Sequence, residues 1–177
     1  MEHQTPASHR SRLRPVLRRP ARLLALLLVA RLAPCVLSEP DVLSWAGNFG
    51  SINLPALDTR DAVSTGSATE TLILDGDAEL SADNGAAARL TGPGGDVLST
   101  EYQLTFDGDG GSDTGAATVD FTPYDSFLAS PVLIAHVLGD DAVQVTLHVR
   151  AQNFAGQLAN AGAYSATQTL TASWVGP

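Results

Sequence analysis

The sequence predicts an all-β protein, folded as a β-sandwich. Three observations support this fold class. After residue 40, no stretch keeps a helical apolar period over three turns. Short runs rich in Val, Thr, Leu and Ile recur instead. Turn sequences rich in Gly, Asp and Asn separate these runs at a spacing of about 8–15 residues, as is typical of sandwich domains.

The individual strands follow from apolar periodicity. Alternation places Tyr102, Leu104 and Phe106 on one face of their run, and it places every second residue of 143–150 on one face of that run. The run 132–138 is almost wholly apolar, which predicts a strand buried on both faces. About seven to eight strands favour an immunoglobulin-like β-sandwich. The runs are 69–74, 87–90, 97–106, 116–121, 132–138, 143–150 and 164–174.

Residues 1–38 have the pattern of an export signal. Six arginines from Arg10 to Arg22 precede an apolar stretch at 23–37, and a seventh, Arg31, interrupts it. The stretch is too short for a comfortable membrane span. Ser38 completes a small-residue cleavage signal, so Glu39 is the expected mature N-terminus. Two alternatives stay open: a retained anchor helix, and a lipid attached at Cys35. The expected location is extracellular or at the cell surface, reached through the periplasm.

The charge distribution excludes several classes of partner. The chain contains no lysine, and after Ser38 there are 18 acidic residues against three arginines. Such an acidic surface repels nucleic acid and anionic membranes. The only cysteine is Cys35, in the segment expected to be removed, so no disulfide is predicted in the mature domain.

Residues 39–57 form an N-terminal extension, residues 58–68 are polar enough to be a linker, and the main body is assigned to 69–177. Within the extension, alternation gives an extended strand with one apolar face. This strand is either the first strand of its own sandwich or a donor strand that completes the sheet of a neighbour. The residues on its apolar face are Leu43, Trp45, Gly47 and Phe49.

The last third of the chain resembles the C-terminal signature of the spore coat protein U family, the subunits of archaic chaperone–usher pili. A strand ends in an arginine, an Ala-Gly-Gln loop follows, and an Ala-Gly-Ala-Tyr turn leads into a final strand that closes on an aromatic residue. Upstream, a Tyr-x-Leu strand is similar to one of the family. The matching residues are Tyr102, Leu104, Arg150, Gly156, Gln157, Gly162, Tyr164 and Trp174.

The resemblance implies a secreted structural subunit of an extracellular filament, pilus or coat. Such subunits lack a final strand, and the N-terminal strand of the next subunit fills the resulting groove. The partners would be other copies of the chain, in a head-to-tail homopolymer, together with a periplasmic chaperone and an usher. The apolar residues at 43–49 would be the donor residues.

Metal sites are only weakly indicated. Asp107, Asp109 and Asp113 alternate with glycines, as in calcium loops, but the bidentate Glu of such loops is missing, so an acidic hairpin turn is the simpler interpretation. His136 and His148 have no third ligand nearby, and His148 falls on the face opposite the apolar residues of its strand. We therefore expect no cofactor, with a structural calcium at the acidic turn as the alternative.

No catalytic motif is present in the sequence. There is no Gly-x-Ser-x-Gly elbow, no cysteine after Cys35, and no phosphate-binding glycine loop before a helix. The expectation is a non-enzyme. The alternative to a filament subunit is a monomeric adhesive or carbohydrate-binding module, with aromatic residues such as Trp45 and Tyr124 on its surface. A small exported hydrolase that uses paired carboxylates is the third hypothesis.

Overall fold

The computed structural model describes residues 42–154 and 159–175, and these residues form an all-β sandwich of two antiparallel sheets. The described part contains eight strands and two short 3-10 turns, at Ala86–Ala88 and Pro93–Gly95. The strands are β1 (Leu43–Trp45), β2 (Val63–Leu74), β3 (Ala78–Ala82), β4 (Ser99–Phe106), β5 (Val119–Pro123), β6 (Val132–Ile134), β7 (Ala142–Gln152) and β8 (Leu170–Trp174).

The larger sheet has the order β1-β2-β7-β4-β5, and the smaller has the order β6-β3-β8. The first long strand, β2, therefore pairs with the last long strand, β7, in an uninterrupted register from Val63–Gln152 to Ile73–Ala142. On the outward face, the hydroxyls of Thr69 and Thr146 are 2.7 Å apart across this pair. Such cross-strand contacts help to fix the register.

The core lies between the two sheets and follows the predicted alternation. In β7, every second residue from Val143 to Val149 is buried, and the residues between them face outward. Tyr102 and Leu104 of β4 are buried as predicted. Leu80 of β3 and Ile134 of β6 close the core from the smaller sheet. The all-β prediction is confirmed.

Several predicted elements differ from the structure. Residues 63–68, assigned to a linker, belong to β2, because small inward residues such as Ser64 and Gly66 let this polar stretch pair with β7 along its whole length. The strand predicted at 87–90 is not formed, and its first two residues belong to the 3-10 turn at Ala86–Ala88. β3 was missed because its short Ala-rich sequence has weak strand propensity.

The prediction that residues 132–138 form a strand buried on both faces was wrong. Only Val132–Ile134 is a strand, and it lies at the edge of the smaller sheet. Leu133 is 49% exposed, and Leu138 is 94% exposed in the turn that follows. An edge strand of a two-layer sandwich has only one neighbour and only one covered face, so apolar content alone cannot distinguish it from a central strand.

The predicted signal peptide, residues 1–38, lies outside the described residues. Across 42–154 and 159–175, there is no helix with the length and apolar content needed to cross a membrane.

Candidate functional site: the strap and its groove

Residues 42–57, here called the strap, cover the open side of the core. Leu43 and Trp45 of β1, followed by Phe49, pack with their half-buried side chains on the central cluster. The rings of Trp45 and Phe49 meet edge to face at 5.2 Å. Further along, Ile52 and Leu54 pack on the same core. Within a single chain, three of the four predicted donor residues therefore cover their own domain, while Gly47 is exposed.

The strap has a hydrogen-bonded ladder only in its first third. β1 pairs with residues 72–74 of β2, and the Ala46 amide continues the ladder to the Thr71 carbonyl. From residue 47 to residue 57, no backbone–backbone hydrogen bond joins the strap to any described residue. The remaining hydrogen bonds of the strap lie within it or are isolated. In one of them, the Ser64 hydroxyl donates to the Pro55 carbonyl at 2.8 Å. Side-chain packing thus holds most of the strap.

Gly66 allows the strap to lie directly on β2. A Cβ atom at this position would be 2.7 Å from Ile52 Cγ2 and 2.9 Å from Leu54 Cδ2, closer than side-chain contacts allow. The absence of a side chain at Gly66 therefore makes room for both apolar residues. Glycine inside a strand often marks such a close approach.

Gly50 changes which strap residues face the core. Before it the inward positions are odd-numbered, as at Leu43 and Trp45, and after it they are even-numbered, as at Ile52 and Leu54. Gly50 has φ = +67°, a left-handed conformation that glycine adopts without a Cβ penalty. This turn explains why the predicted alternation ends at residue 49.

The groove is here the part of the core that the strap covers, together with the gap between the strap and the segment that precedes β8. The gap has a volume of about 540 Å³, its floor is formed by Tyr102, Leu147 and Val149, and its sides are residues 49–54 and 164–168. The floor residues belong to the main core. The two sheets are therefore not closed by a regular strand on this side.

Tyr102 supports the floor of the groove. Its ring packs on Phe127 at 5.4 Å, and its hydroxyl donates to the Ala88 carbonyl at 2.6 Å. Burial raises the pKa of Tyr102 to about 12, so the hydroxyl stays protonated at physiological pH and keeps its role as a donor. Leu104, two residues on, has no exposed surface. Both of these family-signature residues are core residues.

Arg150 ties three strands together on the outer face of the larger sheet. Its Nε donates to Glu101 Oε2 at 2.6 Å, and its guanidinium lies 4.3 Å from the centre of the Phe121 ring. Glu101 belongs to β4 and Phe121 to β5. The arginine therefore links β7 to its neighbour β4 through an ion pair, and to β5 beyond it through a cation–π contact.

Tyr164 anchors the segment before β8. Its ring lies against Gly92, where a Cβ would be 2.6 Å from the ring, and its hydroxyl donates to the Asn160 carbonyl at 2.7 Å. Gly162 approaches Pro93 in the same way, since a Cβ atom at Gly162 would be 2.8 Å from Pro93 Cγ. Trp174 packs half-buried on the core from β8. Gly156 and Gln157 lie outside the described residues.

The aspartates of the proposed calcium loop cap backbone groups. Asp109 Oδ1 accepts the Gly111 amide at 2.8 Å and the Ser112 amide at 3.3 Å, and these hydrogen bonds lower the pKa of Asp109. Asp107 Oδ1 accepts the Gln144 amide at 2.8 Å. The Asp113 carbonyl accepts the Gly110 amide. This is the arrangement of an acidic turn, and calcium binding stays a prediction.

His148 lies on β7 and His136 lies in the segment after β6, and the two histidines have different partners. His148 Nε2 is 2.9 Å from the Thr105 hydroxyl on the outer face of the larger sheet. His136 Nε2 is 2.9 Å from Asp141 Oδ1, and the His136 amide donates to Asp77 Oδ1. In the part of the chain that the structure describes, no three His, Cys, Asp or Glu side chains come together as a metal site.

Three residues of the site were not predicted from the sequence: Ile52, Leu54 and Gly66. The first two fall beyond Gly50, where the apolar alternation shifts by one residue. The third lies in the stretch assigned to a linker. A glycine within a Val/Ser/Thr-rich run is a known sign of close backbone approach, and this signal could have identified Gly66.

Comparison with protein-family models, with curated protein sequences and with solved structures finds no match for this chain.

Proposed function

We propose that this chain is an exported structural subunit of an extracellular filament, pilus or coat, and that it assembles head to tail by β-strand complementation. In the polymer, the strap of one subunit fills the groove of the next. The resemblance to spore coat protein U subunits supports the proposal, as do the export-signal pattern and the sandwich fold. A periplasmic chaperone and an usher are the partners expected during assembly.

The observation that carries the proposal is the mismatch between the packing and the hydrogen bonding of the strap. Its apolar side chains fill the open side of a sandwich, yet residues 47–57 lack a backbone ladder to the described residues. Each ordered residue costs about 1–2 kcal/mol in backbone entropy, and each ladder hydrogen bond contributes about 0.5–1.5 kcal/mol. A segment without a ladder is therefore comparatively easy to release.

Release of the strap in one subunit exposes both surfaces of the contact between subunits. The free strap presents an apolar face, and the emptied groove exposes the core residues Tyr102, Leu147 and Val149. Because a released strap and an emptied groove are two different, complementary surfaces of each subunit, the contact is heterologous and extends into an open filament. The acidic surface of the domain keeps free subunits soluble until they join.

We expect deletion of residues 39–57 to abolish filaments and to leave an aggregation-prone body with an open groove. Trp45→Ser should reduce assembly strongly, because Trp45 packs on the core, whereas Ser44→Ala, on the outward face of the same strand, should assemble normally. Negative-stain microscopy and size-exclusion chromatography of the secreted protein measure the result. Native material that stays monomeric at all concentrations would contradict the proposal.

A monomeric carbohydrate-binding module is the alternative function. A second cavity of about 690 Å³ is lined by Arg60, Asn153, Phe154 and Tyr164 among others, and Phe154 is 45% exposed. An exposed ring beside amide and guanidinium groups suits a sugar. In the single chain, Trp45 and Tyr124 are half-buried against the core, so Phe154 is the more exposed candidate. Glycan binding by a strictly monomeric protein, lost on Phe154→Ala, would favour this alternative.

A further inference from the structure

We propose that the turn at residues 58–62 is a hinge that decides between a closed monomer and the polymer. In the closed state it folds the strap back onto its own groove, and in the open state it lets the strap reach the groove of a second copy. The closed subunit is thus self-inhibited. This inference rests on the proposed filament function and adds a regulation of the same site.

The strap and β2 form the two arms of one long hairpin. Trp45 pairs with Leu72 near the open end. Toward the turn, the Pro55 carbonyl accepts the hydroxyl of Ser64. The strap thus runs antiparallel to β2, and only residues 58–62 connect the two arms. Extending this connection would move the whole strap away from its own domain without disturbing the β2–β7 pairing.

The turn itself is conformationally strained. Asp61 has φ = +62°, a left-handed conformation that costs most residues with a Cβ atom about 1–2 kcal/mol, costs Asp and Asn less, and is open to Gly without this cost. Two backbone hydrogen bonds hold this conformation against the end of β7. The Asp61 amide donates to the Asn153 carbonyl at 2.8 Å, and the Asn153 amide donates to the Ala62 carbonyl at 3.4 Å. An extended hinge would relieve the strain and break these hydrogen bonds.

The hinge has a large influence because the other free-energy differences cancel. When the strap of one copy replaces the strap of another in the same groove, the same side chains pack against the same groove residues. The free energy of strap packing is therefore equal in the closed monomer and in the polymer. What differs is the conformation of the hinge, together with the entropy of association. Where a substitution changes only the free energy difference between the folded-back and the extended hinge, the free energy of the monomer–oligomer equilibrium should therefore change by nearly the same amount.

The test compares three substitutions of Asp61 in the secreted full-length protein. Asp61→Gly adopts the positive φ without penalty, so it should lower the oligomer fraction by about fivefold. Asp61→Pro fixes φ near −65° and removes the amide donated to Asn153, so it should raise the oligomer fraction by roughly tenfold. Asp61→Asn is the matched control, because Asn tolerates the left-handed region and should stay within about twofold of the wild type. Size-exclusion chromatography at fixed protein concentration gives the oligomer fraction, and circular dichroism verifies that each variant is folded.

The outcomes distinguish a failure of the hinge inference from a failure of the filament proposal. Opposite shifts for Gly and Pro with an unchanged Asn variant support the hinge. If the wild type assembles but the three variants match it, or if Asn shifts as far as Pro, the hinge inference is overturned while the filament stands. If neither the wild type nor the proline variant ever forms oligomers, the filament proposal fails, and the hinge inference fails with it. The glycine variant is expected to be the more stable monomer. If the proline variant misfolds, the predicted decrease of the oligomer fraction in the glycine variant can therefore still be measured.

Discussion

Leu104→Ala is expected to lower the free energy of unfolding by about 2–5 kcal/mol. Leu104 has no exposed surface and lies in β4 between β5 and β7, opposite Leu147 in the register. Truncation removes apolar packing at the centre of the larger sheet and leaves a cavity that the surrounding strands fill only partly. Domains of this size are stable by about 5–15 kcal/mol, so this substitution removes a large share of the total.

Leu138→Ala is the matched control for this prediction. The same chemical change is made at a residue that is 94% exposed in a turn, and we expect a change within about 0.5 kcal/mol. Urea denaturation followed by circular dichroism measures both variants. Equal midpoints for the two variants would show that the core assignment is wrong.

Thr114→Val is expected to destabilise the fold by about 2–4 kcal/mol although the side-chain shape is preserved. Thr114 is buried, and its hydroxyl joins two backbone groups. It accepts the Val137 amide at 2.7 Å and donates to the Asp140 carbonyl at 2.5 Å. Valine leaves both groups without this partner, and a buried polar group without a hydrogen bond costs about 1–3 kcal/mol.

Thr114→Ser retains the hydroxyl and loses only a methyl group, so its cost should be about 1 kcal/mol. Thermal unfolding of the two variants side by side measures the difference. If the serine variant is as unstable as the valine variant, the methyl group rather than the hydroxyl is the important element. The hydrogen bonds of the Thr114 hydroxyl would then contribute little to stability.

The strands with clean alternation were predictable from the sequence. β7 and β4 were found almost to the residue, because buried and exposed positions alternate along them. The first part of β2 and the whole of β3 were not found. The inward positions of that part of β2 carry Ser, Gly and Ala, and β3 has Leu80 as its only large apolar residue. The burial of such small residues depends on what packs against them from other parts of the chain, here the strap over Gly66. Propensity is weak where tertiary contacts decide.

The candidate site was predictable only in part. The apolar face of residues 43–49 was visible from its period of two, and three of those residues pack on the core. The continuation through Ile52 and Leu54 was hidden by the left-handed turn at Gly50. The groove could not be predicted, because its floor and sides come from segments distant in sequence. Likewise, the signature residue Arg150 acquires its structural role only when the pairing of β4, β5 and β7 is known.

The central claim, that the strap of one subunit fills the groove of the next, can be tested with a disulfide between two different chains. Ser44 and Ile73 are direct cross-strand partners on the outward face of β1 and β2. Cβ atoms of such pairs are about 4.5–5.5 Å apart, within reach of a disulfide after a small adjustment. Cys35 is the only native cysteine and precedes the expected mature N-terminus, so introduced cysteines have no competitor.

The measurement mixes subunits that carry only Ser44→Cys with subunits that carry only Ile73→Cys, assembles them and oxidises the product. We predict covalent dimers on a non-reducing gel, because the strap of one copy lies on β2 of another. The double variant, oxidised as a monomer before assembly, should form the bond within one chain and should then fail to assemble. Assembled mixtures without covalent dimers, together with a double variant that polymerises after its internal bond has formed, would contradict strand complementation.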